Sequence, residues 1–116
     1  MSIIASIVVG LVAALHLYFL ALEMFLWDTP TGRRTFGTDA EFATASKTLA
    51  ANQGLYNGFL AAGLVWGLIT QADDVMLFFL ACVIVAGAYG AVTVNRRILF
   101  VQALPAVVGF VLVLFA

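Results

Sequence analysis

His16 and Glu23 lie seven residues apart inside the apolar stretch HLYFLALEMFLW, residues 16–27. An imidazole can take up or pass a proton, and a carboxylate can hold a cation or several hydrogen-bond donors. Seven residues are two helical turns, so both side chains fall on one stripe of a helix. About 10 Å of axial rise separates them. They cannot bond each other directly, and a joint role needs a ligand, a water chain or a residue from another helix. The plain alternatives are local. Glu23 could anchor at an interface by pairing with Arg33, Arg34 or Arg97, and His16 could be a neutral imidazole bonded to Asn57 or a tyrosine.

A second stretch, NQGLYNGFLAAGLVWG (52–67), adds Asn52, Gln53 and Asn57. Amides inside an apolar helix either tie helices together or bind a ligand, because lipid offers them no partner. Gly54 and Gly58 form one G-x-x-x-G and Gly63 and Gly67 another. Small faces of this kind admit a close helix neighbour, either within a bundle or as the contact of a homo-oligomer. Tyr89 and Thr93 follow near the end of a third apolar run, and Gln102 stands near the start of a fourth. One histidine, one isolated cysteine and one shallow glutamate do not make a zinc or copper set, so no metal site is expected. No nucleophilic triad has credible spacing, and no basic patch with aromatics points to nucleic acid.

The composition says what must position these groups. Of 116 residues, 65% are hydrophobic and 9% charged, against about a quarter charged in soluble domains. Mean hydropathy is +1.14. The apolar residues gather in runs near the ~20 residues needed to cross a bilayer. The reading is an all-α integral membrane four-helix bundle forming one domain, residues 1–116. Its spans are expected at about 3–27, 49–70, 75–94 and 98–116, with a polar connection at 28–48. The chain is too short for a lipid-facing barrel and lacks period-two alternation. The first run lacks the basic start of a signal peptide and is too long for its apolar segment, so it reads as a retained helix.

Local signals sharpen this. Pro30 disfavours helix at the residue before it and ends the first span. Thr38 and Glu41 fit a capping box, which starts the second helix near Asp39, outside the membrane. Asp73 and Asp74 favour the N-terminus of the third helix. Pro105 removes a donor from the carbonyl of Val101 and predicts a kink beside Gln102. Cys82, within an apolar run, reads as a buried structural thiol.

All five basic residues, Arg33, Arg34, Lys47, Arg96 and Arg97, fall in the first and third connections. Excess Lys and Arg mark cytoplasmic loops. Both termini are therefore expected outside, with the second helix extended into the cytoplasm. Trp27 and Trp66 would sit near opposite interfaces. Glu23 then lies roughly 6 Å and His16 roughly 16 Å inside the cytoplasmic end of the first span. Polar side chains from all four helices gather at that end. They outline an inward-opening pocket of His16, Glu23, Asn52, Gln53, Asn57, Tyr89 and Gln102, suited to a small or amphipathic molecule. A structural or accessory subunit, whose polar layer only specifies packing, is the plainer alternative.

The order H-x6-E-x3-W, N-Q-G-x-Y-N-G, Q-A-L-P-A resembles a family of small four-helix bacterial membrane proteins known as domain of unknown function 1304. That resemblance covers essentially the whole chain and implies four spans in a bacterial cytoplasmic membrane. A more distant likeness is to the membrane-associated eicosanoid and glutathione (MAPEG) family, whose members bind glutathione between subunits near the cytoplasmic side. It implies a transferase or isomerase using an anionic thiol cofactor, held here by Arg96 and Arg97. The arginine-rich entry to that family's second helix is reduced here to Lys47, and its glutamate is absent.

Overall fold

The chain is described here by a computed structural model covering residues 2–115. It is helical throughout, with no strand among the described residues.

Helix α1, Ile3–Met24, starts where Ser2 caps it by accepting a hydrogen bond from the Ala5 amide at 3.1 Å. It stops three residues before the expected end at Trp27. The cause is a second helix absent from the sequence reading, α2, Pro30–Phe36. Proline at the first helical position has no amide to satisfy and a preset φ, so Pro30 starts a helix as well as ending one. Thr29 is the cap. Its extended backbone lets Oγ1 accept from the Gly32 amide at 3.2 Å and donate to the Leu26 carbonyl at 2.6 Å. Gly37, at φ +67°, closes α2 in the left-handed conformation that glycine adopts without strain.

Helix α3, Ala40–Thr70, has 31 residues. It starts beside Asp39, as the acidic cap implies, but the capping residue differs from the expected Thr38. The Phe42 amide donates to Asp39 Oδ1 at 2.7 Å, while Thr38 Oγ1 is buried without a partner. Asp39→Ala is therefore expected to lower stability by about 1 kcal/mol. Thr38→Ala should cost nothing, and thermal unfolding in detergent checks both. The next turn is tight. Gln71 takes φ 51°, a position usually given to glycine, and its side chain donates to the Leu68 carbonyl at 2.8 Å. Helix α4, Asp73–Thr93, follows with both acids in its first turn.

The last helix begins irregularly. A π-helical segment, Leu99–Ala103, runs into α5, Leu104–Phe115, and the Leu104 amide donates to the Leu99 carbonyl, five residues back. The kink expected at Pro105 thus takes the form of a widened turn, with Gln102 inside it. Two helices, α1 and α4, are long and apolar enough to cross a membrane, and Leu99–Phe115 is a shorter apolar helix. The α3 segment is less apolar, its hydropathy diluted by Asn52, Gln53, Asn57 and its glycines.

The residues pack as two compact units. One comprises the chain up to Ala14 and from Leu60 onward. Its core joins Val9 of α1, Leu64 of α3, Leu80 and Val83 of α4, and Ala106 of α5, all fully enclosed. Close approach depends on glycine here. A Cβ on Gly63 would strike the Phe79 ring, and one on Gly67 would lie 2.5 Å from Met76 Cγ. A Cβ on Gly87 would lie 2.8 Å from the Ala103 backbone nitrogen.

The other unit is Leu15–Phe59. Here Trp27 donates through Nε1 to Ser46 Oγ at 3.0 Å, and its ring lies 4.8 Å from that of Phe36. Asp28 accepts from Arg33 at 3.0 Å and from Thr44 at 3.0 Å. These contacts dock α2 on the start of α3.

Candidate functional site

The stripe expected on α1 is present. His16 is fully enclosed, and Glu23 keeps 5% of its surface. His16 meets the Phe19 ring edge-on, with centroids 5.3 Å apart. Both polar side chains are therefore enclosed.

Glu23 is seated by α3. Gly54 lies so close to α1 that an added Cβ would sit 3.0 Å from Glu23 Cβ and 2.7 Å from Met24 Cγ. A Cβ on Gly58 would likewise sit 2.7 Å from Leu20 Cδ1. This narrow gap lets the short Asn57 side chain, one turn beyond Gly54, reach α1. Asn57, 8% exposed, donates through Nδ2 to Glu23 Oε1 at 2.5 Å. The pair joins an ionisable carboxyl to a neutral amide.

Asn57 thus serves Glu23, and one expectation is corrected: Arg33, offered as a partner for Glu23, is bound to Asp28. Gly54, Gly58, Gly63 and Gly67 face side chains of their own chain. As placed, these faces bring helices of one chain together.

The other candidates fall as follows on the two units. Asn52 and Gln53 are exposed on α3. Tyr89 and Gln102 belong to the first unit, Tyr89 71% exposed and Gln102 half-buried in the π-helical segment. Arg96 and Arg97 are exposed on the turn between α4 and the last helix. Cys82 is half-buried rather than enclosed, and it lines a shallow apolar groove on α4. Within the second unit the polar groups form a hydrogen-bonded pair, Glu23 with Asn57, with His16 two turns along the same helix.

Chemically, the pair can do what a buried carboxyl with one amide donor can do. A carboxylate offers about four acceptor positions, and Asn57 occupies one of them. Among the described residues no cation faces it. The other positions could take a proton, or accept from a cationic or hydrogen-bond-donating guest.

The sequence reading missed the anchoring contacts of Trp27, Asp28, Thr44 and Ser46. A weak signal was available in Asp28 and Arg33, five residues apart across a T-P helix start.

A family model described as "Protein of unknown function (DUF1304)" matches residues 10–114. The chain is also similar to a protein described as uncharacterized, YpaA, from Lactococcus lactis subsp. lactis (strain IL1403). The two are 31% identical over 106 residues, covering 88% of this chain and 89% of that one. No solved structure matches.

Proposed function

Because the chain belongs to the DUF1304 family, its activity has to be read from its own side chains, and we propose that it is a multi-pass protein of the bacterial cytoplasmic membrane that binds a small or amphipathic molecule at Glu23. One observation carries the reading. Glu23, within an apolar helix of membrane-spanning length, is enclosed against a neutral amide and not against an arginine. Ionisable side chains at membrane depth are costly and tend to be kept for function. A carboxyl needed only for packing would be replaced by leucine without loss, and one needed only as an interfacial anchor would reach the arginines. The guest this site favours carries positive charge or a hydrogen-bond donor beside an apolar body. His16, on the same stripe, would meet the guest's deeper end.

The experiment is native mass spectrometry of the full chain purified gently from its host membrane. A small adduct is expected on the wild type and not on Glu23→Gln. An accessory scaffold, the plainer alternative, would carry no adduct in either form.

The orientation follows from the basic connections and is separately testable. In a Cys82→Ala background, cysteines at Thr35 and Asp73, both exposed, should label from opposite faces of intact cells, with Thr35 cytoplasmic. Gly32 is unsuitable for this, because a side chain there would run into the Leu26 carbonyl. Labelling of both positions from the same face would contradict the proposed orientation.

A further inference from the structure

One surface of the first unit lies apart from Glu23. Phe78, Ala81, Cys82, Val85, Ala86 and Tyr89 line a shallow, almost wholly apolar groove of about 540 Å³ along α4. Phe78, Val85 and Tyr89 are each more than half exposed. The groove has a direction. Its Phe78 end points toward Asp73 and Asp74, which open α4, and its Tyr89 end toward Arg96 and Arg97, which follow the helix. From Phe78 to Tyr89 is about 16 Å of helix, close to half of the ~30 Å hydrocarbon core of a bilayer.

Charge then selects the occupant. Neither guanidinium has an ion-pair or hydrogen-bond partner among the described residues; on this turn only the Arg97 backbone amide bonds, to Asn95 Oδ1. No acidic residue follows Asp74 in the sequence, so α4 beyond its first turn and the last helix bring no carboxylate side chain to the pair. We infer that the α4 groove with the Arg96–Arg97 turn is a binding site for one anionic phospholipid of the cytoplasmic leaflet. Its phosphate meets the guanidiniums, Tyr89 sits at the level where chain gives way to headgroup, and an acyl chain lies along Ala86, Val85 and Cys82 toward Phe78. The two aspartates at the far end repel the opposite orientation. This inference rests on the membrane-spanning reading and is independent of a guest at Glu23.

The test titrates the full chain in neutral detergent with phosphatidylglycerol or phosphatidylcholine of identical acyl chains and counts retained lipids by native mass spectrometry. Basic residues near anionic headgroups predict a preference for phosphatidylglycerol of roughly thirtyfold for two arginines. Arg96→Gln with Arg97→Gln, on an exposed turn, should bring the two lipids near parity. Ala86→Trp, which fills the groove, should weaken phosphatidylglycerol binding with the turn intact. No preference in the wild type, or a preference that survives the arginine changes, overturns the site. A preference untouched by Ala86→Trp overturns the groove's part in it and leaves adsorption of headgroups alone. A Cys82–Cys82 disulfide formed by mild oxidation in membranes would place a second copy in the groove and overturn the lipid. Alkaline carbonate washing separates the two readings. Release of the chain removes the spanning reading and the lipid site together, whereas retention without lipid preference removes only the site.

Discussion

Gly63→Leu is expected to destabilise the protein by about 1–3 kcal/mol, the usual cost of forcing bulk into a close-packed contact. Even a single added carbon at this position lands on the Phe79 ring. Phe79 packs against the core of Leu80 and Val83, so its ring has to leave that contact to make room. Ala62→Leu is the matched control, because Ala62 is exposed one residue earlier on the same helix. Thermal unfolding in detergent should show a clear drop for the first and little change for the second. Equal melting temperatures would mean that α3 and α4 do not approach as closely as described.

Asn57→Leu should cost about 1.5–3 kcal/mol, because it removes the donor from an enclosed carboxyl. Glu23→Gln should cost much less, since an amide keeps the shape and can still bond Asn57. Yet the same change should weaken a cationic or donor-bearing guest about ten- to a hundredfold, the loss of a hydrogen bond to a charged group. The double change Glu23→Leu with Asn57→Leu should recover most of the stability lost in Asn57→Leu. Replacing both partners of a buried pair by apolar groups is often nearly neutral, whereas removing one leaves the other stranded. Recovery of fold without recovery of binding would separate the pair's role in the site from its role in packing. A double variant as unstable as the single one would mean that the two side chains do not act on each other.

Glu23 and His16 were legible as a stripe because seven residues is a fixed geometric interval on any helix. Their partners were not. The helices are apolar on most sides, so hydrophobic periodicity says little about which face of α3 turns toward α1. The close seating at Gly54 and Gly58 fixes that rotation and delivers Asn57 to Glu23. Asn52 and Gln53, close to Asn57 in sequence, fall on exposed surface for the same reason.

The ends of α4 were readable from its acids and from the polar turn after it. The end of α1 was misplaced because Pro30 was read as a stop alone, when Thr29, Pro30 and Gly37 together make a short capped helix. The widened turn at Leu99–Ala103 depends on which carbonyl the Leu104 amide reaches, and no residue pattern announces that choice. Proline signalled irregularity there without specifying its form.

If Glu23 lies at membrane depth and within reach of a small molecule, it should react from the bilayer and be shielded from water. A bilayer-soluble carbodiimide and a membrane-impermeant one, applied separately to the full chain in sealed vesicles and mapped by peptide mass spectrometry, test this directly. The bilayer-soluble reagent should modify Glu23, and the impermeant one should modify exposed acids such as Asp73 on the face that is open to it, leaving Glu23 untouched. Modification of Glu23 by the impermeant reagent alone, or by neither reagent in a folded protein, would contradict the claim.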